Sequence, residues 1–244
     1  QSDEDAKAVV LHCEGRTFFA GADITEFGNP DVPGAPWITV VIEAFEASSK
    51  PVVAAIHGTA LGGGCETALG CHYRVAVQSA KLGQPEVKLG IIPGAGGTVR
   101  LPRVMGVQKA LEMMISGNPI SAQQALAGGL LDEIVEGDLL SGAITFANKV
   151  VRENRSPARV RDSNGKLEEA RENSAIFDDF RKSIARKTRG FKAPEAIIQS
   201  VEAAISLPFD EALQNERRLF DECQKSPEAK AQQHFFFAER KAKK

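Results

Sequence analysis

Pro51-Val-Val-Ala-Ala-Ile56, followed by His57 and a glycine-rich turn from Gly58 to Gly64, runs into Cys65-Glu-Thr-Ala-Leu-Gly70 and then Tyr73-Arg-Val-Ala-Val77. The first piece is a short apolar run with β-branched residues, the pattern of a strand buried on both faces. The glycines mark a turn, Cys65 to Gly70 reads as an apolar helix, and Tyr73 to Val77 as the next strand. Strand, turn, helix, strand is the order of a parallel unit with a helical crossover, so the chain is expected to be α/β.

Working outward, Ala8 to His12 is a further buried-strand candidate, and Phe18 to Ile24 follows with a glycine-broken loop, Ala20-Gly-Ala-Asp23. Pro30, Pro33 and Pro36 mark an irregular connection. Trp37 to Ser48 carries Ile38, Val41, Ile42 and Phe45 at helical spacing. Beyond the core stretch the chain turns helical: Val107 to Ile115, Ser121 to Ala127 and Leu139 to Val151. Ser121-Ala-Gln-Gln124 fits a capping box. The polar stretch Arg152 to Lys192 reads as a solvated linker with one helix inside it. Pro194 to Ile205, Phe209 to Cys223 and Glu228 to Lys244 read as further helices. The division expected is a core over 1–135 and a helical C-terminal region over 136–244.

Composition narrows the function classes. With 43% hydrophobic and 25% charged residues, the chain is an ordinary globular one. A net charge of -2 gives no reason to expect nucleic acid as a partner. No apolar run reaches the length of a membrane span, and the polar, acidic opening Gln1-Ser-Asp-Glu-Asp5 does not read as a signal peptide. Cys13, Cys65, Cys71 and Cys223 lack metal-finger or redox-pair spacing, which fits reduced thiols inside a cell. An intracellular, soluble protein is expected: cytoplasmic in a bacterium, otherwise peroxisomal or mitochondrial.

Two glycine-rich segments invite a nucleotide, and both fail. Gly94-Ala-Gly-Gly-Thr-Val99 lacks the last glycine of the dinucleotide fingerprint and the acidic residue that should follow it; Gly58 to Gly64 lacks the Gly-Lys-Ser/Thr ending of a phosphate loop. Leu61-Gly-Gly-Gly-Cys-Glu66 suits a different task. Glycines let the backbone approach a ligand, and the free N–H groups of a helix start suit a developing negative charge such as a thioester oxyanion. Glu66 sits in that apolar helix start, where desolvation is expected to raise its pKa toward acid/base use. Glu86 lies in Leu82-Gly-Gln-Pro-Glu86, again among apolar and loop-forming residues. Two carboxylates on neighbouring segments can share one water; the plainer alternative is two surface glutamates. His57, His72 and Cys65 flank these positions and read as packing or structural residues.

At these residues the sequence resembles the enoyl-CoA hydratase/isomerase family, the crotonase superfamily. The resemblance is carried by Phe19-Ala-Gly-Ala-Asp-Ile24, by Lys50 to Glu66, by Gly83 to Thr98, by Leu101-Pro-Arg103 and by Ala127-Gly-Gly-Leu-Leu-Asp132. It implies a crotonase-like spiral of β-β-α turns with a helical C-terminal region, and a homo-oligomer, a trimer or dimer of trimers. It implies an oxyanion hole from the N–H groups of Ala22 and Gly63, with Ala20, Asp23 and Ile24 lining the CoA moiety and Gly62 and Pro85 as further substrate contacts. Glu66 would deprotonate water for attack at C3, Glu86 would protonate C2, and the Gly94 N–H would help hold the water. Neither a metal nor a redox cofactor is implied, coenzyme A being part of the substrate. The reaction implied is hydration of 2-trans-enoyl-CoA to 3-hydroxyacyl-CoA in fatty-acid β-oxidation. Δ3-Δ2-enoyl-CoA isomerisation is a close variant needing Glu86 alone. A non-catalytic acyl-CoA-binding module and a thioesterase on the same fold stand as alternatives.

Further along, Arg186-Lys-Thr-Arg-Gly190, Ala193-Pro194, Leu207-Pro-Phe209 and Phe237-Ala-Glu-Arg-Lys241 look like the end of the hydratase region in multifunctional β-oxidation enzymes. Fusion to a 3-hydroxyacyl-CoA dehydrogenase part is implied. Family members carry a further strand-helix unit ahead of the segment that opens here, so an incomplete start is expected. Thr25 stands where some relatives have a basic residue, and no phosphate contact is assigned to it.

Overall fold

The computed structural model describes residues 3–21, 36–173 and 175–242. They form two compact units, Gln1–Gly83 with Pro119–Ser163, and Gln84–Asn118 with Asn164–Lys244.

In the first unit, β1 (Val9–His12), β2 (Val52–Ile56), β4 (Tyr73–Val77) and β7 (Glu133–Val135) form a parallel sheet in the order β1-β2-β4-β7. Every residue of β2 is buried, which explains its unbroken apolar sequence: both faces are covered. Helix α6 (Leu139–Arg152) covers one of them. Its Leu139, Ala143, Phe146, Ala147 and Val150 pack with Val53, Ala55, Tyr73 and Val75. Asp138 starts α6, its Oδ1 accepting from the Ser141 N–H at 2.9 Å. Helix α1 (Ile38–Glu46) packs on α2 (Gly63–Gly70), with Ile42 filling the space beside Gly70, where a Cβ would meet the Ile42 backbone at 3.2–3.3 Å.

A second small sheet lies in the same unit. Its β3 (Thr59–Leu61) pairs in parallel with β5 (Lys81–Gly83), which pairs antiparallel with β6 (Ile120–Ser121). The glycine-rich stretch 58–64, expected as a turn, therefore contains a strand. Three residues are too few for a period to show. Helix α5 (Ala122–Gly128) begins with the expected capping box: Ser121 Oγ accepts from the Gln124 N–H at 3.2 Å, and Gln124 Oε1 accepts from the Ser121 N–H at 3.0 Å.

The second unit is helical: α3 (Gly97–Met105), α4 (Val107–Ser116), α7 (Gly165–Glu172), α8 (Ala175–Ile184), α9 (Ala193–Ser206), α10 (Phe209–Gln224) and α11 (Pro227–Ala242). Part of its core is Val99 against Ala204 and Ala212, bordered by Phe209 and Leu213. The segment 152–192 corrects the sequence expectation. It holds two α-helices, α7 and α8, and a 3-10 turn at Val160–Asp162, rather than one helix in a linker. The reason is thin burial. Helix α7 buries Leu167 and Ala170 and α8 buries Phe177, so charge dominates a stretch in which Ile176, Phe177, Phe180 and Ile184 nevertheless recur at helical spacing. Charge does part of the holding: Arg181 of α8 bonds Glu195 at 2.9–3.2 Å and Glu202 at 2.7–2.8 Å on α9.

Candidate active site

Three residues after β2 ends, β3 carries the chain to Gly62, whose φ of 55° and ψ of -126° suit glycine alone. That reversal starts α2 at Gly63. The Gly62 N–H donates to Gly83 O and the Glu66 N–H to Gly62 O, both at 2.9 Å. Glu66 is thus fixed in the first turn of α2 and is 3% exposed. Beside it, Thr67 Oγ1 donates to Gly63 O at 2.8 Å.

The segment before Ala22 lies along this loop. Phe19 bridges to Ala60, and the Leu61 N–H donates to Phe19 O at 3.2 Å. Gly64 touches the Phe19 backbone: a Cβ there would sit 2.9 Å from the Phe19 carbonyl carbon. Gly21, with φ of +102°, follows so closely that its Cβ would lie 3.4 Å from Leu61 O and 3.8 Å from Gly63 N. Ala20, Gly62, Gly63 and Glu66 therefore belong to one neighbourhood. Ala22, Asp23 and Ile24 lie outside the described residues.

The other candidates belong to the second unit. Pro85 leads into a 3-10 turn, Glu86–Leu89, which ends on Gly90 in a left-handed conformation (φ 72°). Gly90 has no room for a side chain, since a Cβ would lie 2.5 Å from Ala229 Cα. Helix α11 holds the turn: Gln232 Nε2 donates to Val87 O at 3.0 Å and Gln233 Nε2 to Leu89 O at 3.4 Å. Glu86 is 9% exposed. Gln84, fully buried, sets its side-chain amide against the Glu86 carboxyl, to which the amide nitrogen would donate at 3.1 and 3.3 Å when the carboxyl is ionised. Sequence reasoning passed over Gln84. Its one signal was an amide two residues before an acid, which is common in loops. Gly94 lies ahead of α3 with the Phe220 ring against it, 2.5 Å from where its Cβ would be.

The neighbouring polar residues are structural. His72 is 1% exposed. Its Nδ1 accepts from the Val52 N–H at 3.0 Å, which leaves Nε2 to donate to Glu46 O at 3.3 Å. Burial holds its pKa below the ordinary 6.5, against the raising effect of Glu46. The unfolded chain therefore takes up a proton more readily than the fold, so stability falls as pH drops below about 6.5. Urea midpoints at several pH values are expected to show that fall, and His72→Asn to flatten it. An unchanged slope in the variant would remove His72 from the pH dependence. His57 stacks on His12 at 5.5 Å, with Nε2 3.1 Å from Gly15 O. Cys65, Cys71 and Cys223 are buried and Cys13 is half-buried, all as free thiols. Burial pushes Cys71 up to about 12 and Cys223 up to about 11, which makes both poor nucleophiles.

A parallel sheet that delivers a buried glutamate through a glycine-opened helix start, with a helical C-terminal region, is crotonase-like architecture. Solved structures agree. An enoyl-CoA hydratase/isomerase from Pseudoalteromonas atlantica T6c matches 98% of this chain and 81% of its own, with TM-score 0.66 and 25% identity. An enoyl-CoA hydratase from Bacillus anthracis matches 90% and 74%, with TM-score 0.55 and 32% identity. The enoyl-CoA hydratase/isomerase family model matches residues 1–178. The chain belongs to the enoyl-CoA hydratase/isomerase family. It is 43% identical over 243 residues to a peroxisomal bifunctional enzyme of Danio rerio and 41% identical over 244 residues to one of Cavia porcellus. It is 38% identical over 250 residues to a glyoxysomal fatty acid beta-oxidation multifunctional protein of Cucumis sativus. The chain spans about a third of the length of these curated relatives. No helix among the described residues is long and apolar enough to cross a membrane.

Proposed function

We propose that the chain hydrates 2-trans-enoyl-CoA thioesters to 3-hydroxyacyl-CoA in fatty-acid β-oxidation, as the hydratase part of a multifunctional enzyme. The observation that carries this reading is the buried Glu66 one turn into α2, with the 19–21 segment laid against Gly63 N at the helix start. A thioester carbonyl placed between the Gly63 and Ala22 N–H groups is stabilised as its oxygen gains charge. Glu66 takes a proton from the attacking water, whose oxygen bonds to C3, and the Gly94 N–H holds that water. Glu86 gives its proton to C2, and the proton taken up by Glu66 passes back to Glu86 through solvent before the next turnover. The sum is one water added, and it needs no electron carrier. Ala20, Asp23, Ile24, Gly62 and Pro85 are assigned to substrate contact. The named relatives support a peroxisomal or glyoxysomal setting and a fusion to further catalytic parts.

Purified protein mixed with crotonyl-CoA is expected to bleach the absorbance of the conjugated thioester. A well-folded protein that leaves the band unchanged would sink the hydratase reading. A 3-enoyl-CoA in the same assay reports isomerisation instead, as a rise of that band.

A further inference from the structure

Helix α3 receives its N-terminal cap from far along the chain. The residue at its start, Gly96, has φ of 97° and no side chain to cap with. The Arg100 guanidinium occupies the place a Cβ would take there. Local sequence therefore cannot satisfy the helix start, whose N–H groups need partners when buried. Glu216, in the middle of α10, supplies them. Its Oε1 accepts from the Gly96 N–H at 2.6 Å, and its Oε2 accepts from the Thr98 N–H at 2.9 Å and the Thr98 hydroxyl at 2.5 Å. The Thr98 hydroxyl is also 2.6 Å from Ser200 Oγ on α9. Glu216 is 1% exposed, and Thr98 and Ser200 are fully buried. A buried carboxylate is costly without compensation; here two backbone donors, a hydroxyl and the positive end of α3 compensate it.

One helical turn beyond Glu216, on the same face of α10, stands Phe220. Its ring lies over Gly94, where a Cβ would be 2.5–3.0 Å from three ring atoms. One face of α10 thus grips both ends of the 94–98 turn, by packing at Gly94 and by a carboxylate at Gly96 and Thr98. The turn is also spoken for as an anion site, because its helix-start donors already hold Glu216.

We propose that Glu216 is a positioning residue for the hydration: by holding the 94–98 turn it sets the direction of the Gly94 N–H. This rests on the assignment of Gly94 to the water. Glu216 is assigned no contact with a reacting atom and acts through the turn it holds. Misplacing a catalytic group by about 1 Å lowers rates by about a hundredfold.

The test uses the full chain as wild type, Glu216→Gln and Glu216→Ala. Glutamine keeps the shape but offers one acceptor oxygen, and turns an NH2 group toward the other donors. Hydration of crotonyl-CoA is measured beside deuterium uptake of the peptides covering 91–100 and 52–56. Glu216→Gln is expected to lower kcat about tenfold and Glu216→Ala about a hundredfold, with KM within about twofold of wild type. Uptake is expected to quicken at 94–98 and to stay unchanged in β2. Should the alanine variant fail to fold, the glutamine variant carries the test. Unchanged uptake at 94–98, unchanged kcat despite faster uptake there, or faster uptake throughout the chain would each overturn the proposal. If wild type leaves crotonyl-CoA untouched, the hydratase reading has failed by itself, and the uptake measurement alone decides whether Glu216 holds the turn.

Discussion

Glu66→Gln is expected to lower kcat for crotonyl-CoA hydration by about a thousandfold, and Glu86→Gln by a similar factor, both with KM near wild type. Each variant removes a proton carrier whose contribution to a transition state is about 10²–10⁴-fold. Each keeps side-chain shape at a position that is almost wholly buried. The two substitutions together are expected to cost little more than the worse of them, because groups that serve one water fail as a unit. The isomerase assay divides the roles. Moving a proton between C4 and C2 needs one base, so Glu66→Gln should retain 3-enoyl-CoA isomerisation while Glu86→Gln loses it. Full hydration by Glu66→Gln would end the water-activation assignment, and strictly additive losses would argue against a shared water.

The second large effect is structural. Gly64→Ala is expected to destabilise the protein by about 2 kcal/mol or more, within the range for overpacking a rigid site. Its new methyl would lie 2.9 Å from the Phe19 carbonyl carbon and 3.2 Å from Phe19 Cδ2. The backbone cannot yield cheaply there, because Phe19 O accepts the Leu61 N–H and Phe19 bridges to Ala60. Gly15→Ala is the control. Gly15 also has a positive φ, +85°, but no atom lies within 4 Å of its would-be Cβ. It should cost only the local strain, about 1 kcal/mol. Urea unfolding of the two variants separates crowding from strain, and equal losses would show that the Phe19 contact is not what excludes a side chain at Gly64.

Much of the fold could be read from the chain because its decisive elements are unbroken apolar runs bounded by glycine and proline. The run 51–56, the helix after Gly63 and the strand at Tyr73 each declare themselves, and Ser121 with Gln124 declares a helix start. Strands β3 and β6 do not, having three residues and two. Helix α7 buries only Leu167 and Ala170 among charged neighbours, and the helical spacing of Ile176, Phe177, Phe180 and Ile184 in α8 is set in a stretch that otherwise reads as polar. Periodicity also says nothing of which elements share a core, such as residues 84–118 with 164–244. The site shows the same division. Glu66 and Glu86 could be picked out as acids in apolar surroundings. Gln84 looked like any loop amide, and Glu216 looked like one more charge on an amphipathic helix, because its partners are 118 and 120 positions away.

The 3-10 turn that carries Glu86 is tied to α11: the donors to Val87 O and Leu89 O come 145 and 144 residues later. During synthesis the chain emerges from its N-terminal end. The strands around Glu66 can pair while the ribosome is still adding helices, but the Glu86 turn waits for Gln232 and Gln233. The first carboxylate is thus housed before the second, so a ribosome stalled before residue 232 would hold a chain with Glu66 in place and the Glu86 turn without those ties.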